Sequence, residues 1–132
     1  MKVGIIRYPG SNCDFDALNF FPNSFFIWHK QHYVDGLLDD VSLIVLPGGF
    51  AFGDRNYEKA TNVYTISPGT LALNSNVSSV IKKAHMMKIP ILGICNGFQI
   101  LTQMGLLPGK LTLNKNKQFN CKKVLCDFKF KN

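Results

Sequence analysis

Short apolar runs alternate with amphipathic or glycine-rich segments along the whole of this chain. Lys2–Arg7 is apolar on both sides of a period-2 pattern, which predicts a first strand buried on both faces. Asn12 or Ser11 can cap a helix over Asp14–Phe20, before Pro22. Strands follow at Phe25–His29 and at Leu43–Leu46, the latter closing an apolar run that begins at Val41. Residues 50–75 show no period, contain Ser67-Pro68-Gly69, and predict a long functional loop with room for one short helix. Ser75 or Asn76 then starts a helix in which Val77, Val80, Ile81 and Ala84 follow i, i+3, i+4, i+7. A fourth apolar run, Ile89–Ile94, leads through a sharp turn into a helix that stops at Gly105. Leu111–Leu113 and Phe119–Phe130, joined by Asn-Lys-Asn-Lys at 114–117, predict a C-terminal antiparallel hairpin.

Strands separated by helices imply an α/β fold: a parallel sheet with helices on both faces, three layers in all. Such sheets bind ligands at the C-terminal ends of their strands. Three loops leave the predicted strands there, Tyr8–Asn12, Pro47–Asp54 and Cys95–Gly97, and topology alone makes them converge.

The last of these loops carries the clearest chemistry. Gly93 and Gly97 flank Cys95 at i−2 and i+2, at the passage from apolar run to helix, as a nucleophile at a sharp strand-to-helix turn requires. Bulk at those positions would collide with the turn and with a substrate. The sulfur would face a helix N-terminus, where unpaired N–H groups favour negative charge, and the Asn96 N–H would point to where an oxyanion forms. A buried cysteine at the end of a core strand is the structural alternative. The second loop tilts the balance: Pro47-Gly48-Gly49-Phe50, directly after a strand, lets backbone N–H groups approach a ligand and supplies a candidate second half of an oxyanion hole.

Taken together, LPGGFAFGD at 46–54 and GICNGFQIL at 93–101 resemble the class I glutamine amidotransferases, with PGSNCD at 9–14 and GLLPG at 105–109 in the matching order. The likeness runs from Met1 to about Val124 and is strongest to the glutaminase subunits of phosphoribosylformylglycinamidine synthase, of purine biosynthesis. It implies a flavodoxin-like sheet and an acyl transfer in which Cys95 attacks the side-chain amide of glutamine. The oxyanion would be held by the N–H groups of Gly49 and Asn96. Gln99, one turn into the helix, would hydrogen-bond the glutamine substrate, and Gly48 and Phe50 would line its pocket, although Phe50 fits a core position equally. The resemblance also implies partners: a larger ATP-dependent synthetase subunit and a small accessory subunit, so that ATP is consumed by the complex and no cofactor is bound by this chain.

The family completes its site with a His and a Glu near the C-terminus. Here His29, His32 and His85 all precede Cys95, and Glu58 is the only glutamate. The expectation is a single glutamine amidotransferase domain, C-terminally truncated, inactive or slow alone. Two alternatives stay open: a non-catalytic subunit that keeps the pocket and docks on a synthetase, and another cysteine hydrolase of similar fold whose base is His29, His32 or His85.

Composition and charge change little. With 46% hydrophobic and 17% charged residues the chain is ordinary for a globular protein, and no apolar stretch approaches a membrane span. Met1–Arg7 is too short for a secretory signal, which predicts a cytoplasmic location. The net charge of +7 is a property of the tail: from Lys110 onward stand seven lysines and one acid, Asp127. Without an RNA-binding signature this reads as a solvated strand face or a partner surface. Cys13, Cys95, Cys121 and Cys126 form no metal or disulfide framework, and a reducing compartment suits all four as thiols.

Overall fold

The computed structural model describes residues 1–54, 68–112, 114–116, 118 and 120–127. Its elements are β1 (Lys2–Arg7), α1 (Asp14–Phe20), β2 (Ser24–Trp28), β3 (Val41–Leu46), α2 (Thr70–Leu73), α3 (Val77–Met86), β4 (Ile91–Gly93) and α4 (Asn96–Gln103). The four strands form one parallel sheet in the order β2-β1-β3-β4.

Alternation along β1 and β3 divides the core in two, because successive side chains of a strand point to opposite faces. Val3, Ile5 and Val45 pack with Ala17 of α1 on one face. On the other, Ile6, Ile44 and Leu46 pack with Val77, Val80, Ile81 and Ala84 of α3 and with Ile100 and Leu101 of α4. Each fully buried Val, Leu or Ile side chain among them stabilises the fold by about 1.5–3 kcal/mol. This is the predicted α/β architecture, with helices on both faces and a flavodoxin-like strand order.

Several predicted boundaries differ. Ser24 joins β2, while His29 leaves it: the Ser24 hydroxyl donates to the Leu18 carbonyl at 2.7 Å and fixes where the strand begins. The fourth strand keeps only Ile91–Gly93, because β3 offers partners to those three residues alone. Cys13, and neither Ser11 nor Asn12, occupies the N-cap of α1, and no side chain caps it. Asn76 occupies the N-cap of α3, but its side-chain amide donates to the Lys30 carbonyl at 3.0 Å instead of capping. The short helix anticipated within residues 50–75 is α2.

The C-terminal hairpin is not confirmed among the described residues. Among the described residues of that segment none lies in a strand, and residues 120–127 are all exposed, Val124 and Leu125 among them. A two-stranded ribbon without a surface to cover it is marginal in water. The described polar residues bond locally instead: the Asn114 side-chain amide donates to the Gln118 carbonyl and that of Asn116 to Asn120, each at 2.8 Å. Leu113, Phe119, Phe128 and Phe130, like Glu58 and Ser67, lie outside the described residues.

Candidate active site

The strand order reverses direction between β1 and β3, and the loops leaving their C-terminal ends meet there. The Phe50 N–H donates to the Gly10 carbonyl at 3.0 Å, the Phe52 N–H to the Pro9 carbonyl at 2.7 Å, and the Cys13 N–H to the Gly48 carbonyl at 3.3 Å. The approach is tight enough to demand glycine. A Cβ on Gly10 would overlap the Phe50 carbonyl oxygen, and one on Gly49, whose φ is +132°, would overlap the Asn12 nitrogen. An ion pair closes the first loop from outside: Arg7 at the end of β1 meets the buried Asp14 of α1 at 2.5 Å, its guanidinium stacked on Phe15, Phe26 and Trp28.

The third loop is a sharp elbow. Cys95 is the N-cap of α4 with φ 52° and ψ −110°, a left-handed conformation that side chains rarely adopt. It is exposed, contrary to a buried core cysteine. Its two glycine neighbours let α4 lie flat on the sheet. A Cβ on Gly97 would sit inside the Leu46 carbonyl, and one on Gly93 would stand 2.8 Å from the Phe98 nitrogen. Asn96 begins α4, so its backbone N–H lies outside the helical ladder, next to the thiol.

The structure joins the second and third loops. Gly48 lies against the nucleophile candidate, with a Cβ built on it only 3.3 Å from the Cys95 Cβ. The side chain of Asn96, 3% exposed, accepts the Ala51 N–H at 3.0 Å and donates to Asp54 at 2.9 Å and to Gln99 at 3.1 Å. Gln99 is therefore half-buried and oriented rather than solvated. Phe50 is half-buried too, its backbone fixed by Gly10.

Sequence reasoning assigned no role to Asp54. The Asp54 carboxylate is 6% exposed, and one of its oxygens accepts both Asn96 and the Gly69 N–H, the latter at 2.8 Å. It ties the glycine loop, the elbow helix and the start of α2 together. The available signal was an acid placed directly after a glycine turn, in a chain with only eight acidic residues.

The histidines stand elsewhere. His29 meets Phe52 edge-on at a centroid distance of 5.3 Å and also touches Trp28; burial, and then the charge of Lys30, lower its pKa from the ordinary value. His32 and His85 are exposed, and neither is brought to Cys95 by any contact among the described residues. The Tyr8 ring packs on the same Phe52, and its hydroxyl is buried without a well-formed hydrogen bond; burial raises its pKa far above the ordinary value, with Ser75 the opposing influence. A cavity of about 370 Å³ lined by Thr102, Gln103, Gly105 and Lys110 lies at the far end of α4 from Cys95.

Known proteins match the chain. Residues 1–129 match the CobB/CobQ-like glutamine amidotransferase domain. The chain is 41% identical over 129 residues to the phosphoribosylformylglycinamidine synthase subunit PurQ of Pseudothermotoga lettingae, covering 94% of this chain and 50% of that protein. The solved PurLQS structure from Thermotoga maritima superposes with a TM-score of 0.69 at 38% identity, covering 92% of this chain and 52% of that one. The chain thus spans about half the length of the relatives it matches. No helix among the described residues is long and apolar enough to cross a membrane. The fold accordingly finds its counterpart in a solved structure, and the chain belongs to the CobB/CobQ-like glutamine amidotransferase family.

Proposed function

We propose that this chain carries the glutamine-binding and nucleophile-bearing part of the glutaminase that supplies ammonia to phosphoribosylformylglycinamidine synthase. One observation carries the reading: an exposed cysteine in a strained left-handed conformation caps α4 and lies against a glycine loop. The Cys95 sulfur attacks the side-chain amide carbon of glutamine. The N–H groups of Gly49 and Asn96 receive the developing oxyanion, ammonia departs with a proton, and water releases glutamate from the thioester. Gln99, held by Asn96, presents its amide to the substrate, and Gly48 and Phe50 border the pocket.

The similarity to a PurQ subunit and to a chain of the PurLQS structure supports docking on a larger synthetase subunit and a small accessory subunit. In that assembly ATP is spent by the synthetase, and this chain holds no cofactor. Taking the thiol proton needs a base, and the same group, once protonated, must give that proton to the leaving amine. No contact among the described residues brings a histidine to Cys95, so turnover by this chain alone is slow, since loss of the base from such a site removes several orders of magnitude in rate.

The test is labelling with an electrophilic glutamine isostere followed by peptide mapping. Preferential modification of Cys95 over Cys13, Cys121 and Cys126, suppressed by glutamine, is expected. Equal modification of all four, or none at Cys95, overturns the reading.

A further inference from the structure

Two of the four cysteines lie against the same glycine. A Cβ built on Gly48 would stand 3.3 Å from the Cys95 Cβ and 3.7 Å from the Cys13 Sγ, so one methyl group would touch both side chains. The relationship is anchored on both sides. The Cys13 N–H donates to the Gly48 carbonyl at 3.3 Å, and the Ile94 N–H donates to the Leu46 carbonyl at 3.0 Å, which holds the elbow beside the same loop. Both thiols are free and exposed. Cys121 and Cys126 are also free and exposed, but they lie in the lysine-rich tail.

We propose that Cys13 and Cys95 are a redox pair, joined by a reversible disulfide when a hydroperoxide oxidises the site. The Cys95 sulfur attacks the terminal oxygen of the hydroperoxide; the O–O bond breaks, an alcohol or water leaves, and Cys95 becomes a sulfenic acid. The Cys13 thiolate then attacks that sulfur, the S–O bond breaks, and water departs with the thiol proton. Two thiols have lost two electrons and two protons, and the hydroperoxide has gained them. A disulfide needs Cβ atoms about 3.8 Å apart and sulfurs about 2.05 Å apart. Rotation about χ1 and a small backbone adjustment at Cys13, which is exposed and whose N–H bond to Gly48 is long at 3.3 Å, make up the movement required, and the missing side chain of Gly48 leaves the space for it.

The bond would hold the Cys95 sulfur away from glutamine and protect it from irreversible oxidation. That consequence rests on the proposed catalytic role, whereas formation of the bond does not. The full chain is treated with hydrogen peroxide, its remaining thiols are alkylated, and the tryptic digest is weighed. Each cysteine of the pair has its own peptide, residues 8–30 and 89–110. A linked species of these two, lighter by two hydrogens than their sum and separated by dithiothreitol, is expected. In Cys13→Ser the product should change to a dimedone-trappable sulfenic acid at Cys95, while Cys121→Ser with Cys126→Ser should leave the linked species intact. A stable sulfenic or sulfinic acid at Cys95 in the unaltered chain, or linkage of Cys95 to Cys121 or Cys126 at comparable yield, overturns the proposal. Linkage without labelling by the glutamine isostere would discard the catalytic reading and keep the redox pair; labelling without linkage would do the reverse.

Discussion

The side-chain amide of Asn96 donates to the buried carboxylate of Asp54 at 2.9 Å, joining the first residue of the elbow helix to the last residue of the glycine loop. The other end of the same amide accepts the Ala51 N–H, so the side chain is held from both sides. A residue anchored in this way cannot rotate its own backbone N–H away from the thiol beside it. Preorganised donors are effective because they cost no reorganisation during reaction.

Asp54→Ala leaves the Asn96 amide and the Gly69 N–H without their buried acceptor. A loss of about 1.5–3 kcal/mol is expected, the range for hydrogen bonds to charged groups. Asp54→Asn, which keeps an acceptor oxygen, should lose less. Urea titration monitored by circular dichroism measures both; equal stability of Asp54→Ala and the unaltered chain would show that the network does not hold the loops.

Two glycines should respond differently to alanine. Gly97→Ala drives a methyl into the Leu46 carbonyl, which is backbone and cannot yield, so the variant should fail to fold or melt far lower. Gly105→Ala meets nothing within 4 Å but sits at φ +71°, so its cost should be about 1 kcal/mol of backbone strain. Comparable thermal midpoints for the two would contradict the close seating of α4 on β3.

Gln99→Ala should weaken glutamine binding by roughly tenfold, the loss of about one hydrogen bond, with little change in melting temperature because Gln99 is half-buried. Cys95→Ser should keep binding and abolish any thioester. Isothermal titration with glutamine reads the first, and mass spectrometry of the intact chain the second. Unchanged affinity in Gln99→Ala would remove this residue from the pocket.

His29 makes stability depend on pH. Its folded pKa lies below the unfolded value of about 6.5, so the unfolded chain binds the proton more readily as the solution is acidified. The contribution is therefore complete above pH 6.5 and is lost as pH falls through the lower folded value. His29→Gln should flatten this part of the stability profile on acidification below about pH 6.5, relative to the unaltered chain. A parallel profile in the variant would mean that His29 is not the group responsible.

An apolar edge remains uncovered beside the site. β4 pairs with β3 alone among the described strands, and Leu92, Ile94 and Phe98 are 42%, 45% and 48% exposed. Exposed apolar strand edges are prone to association. The purified chain should self-associate at high concentration, and Leu92→Lys with Ile94→Lys should shift it toward monomer in light scattering. A monodisperse monomer of the unaltered chain at high concentration would contradict this.

The strands, the helices at Asp14–Phe20 and Val77–Met86, and the sharp turn at Cys95 were legible in the sequence because they rest on local rules. Apolar periodicity marks what must be buried, and glycine at i−2 and i+2 of a cysteine marks a turn that tolerates no bulk. The convergence of three loops was legible as well, since parallel topology places strand ends on one side. Other features depended on contacts between distant residues. The Asn96–Asp54 bond spans 42 positions, and a buried carboxylate looks like any surface aspartate until its donors are in place. The tail shows the opposite failure: alternation at Val124 and Cys126 is a strand pattern, yet a strand needs a partner edge, and the described residues there have found none. Local chemistry in the sequence determined which residues could present a thiol. Only the tertiary structure, by packing Gly48 against both Cys13 and Cys95, decided which residues stand beside that thiol.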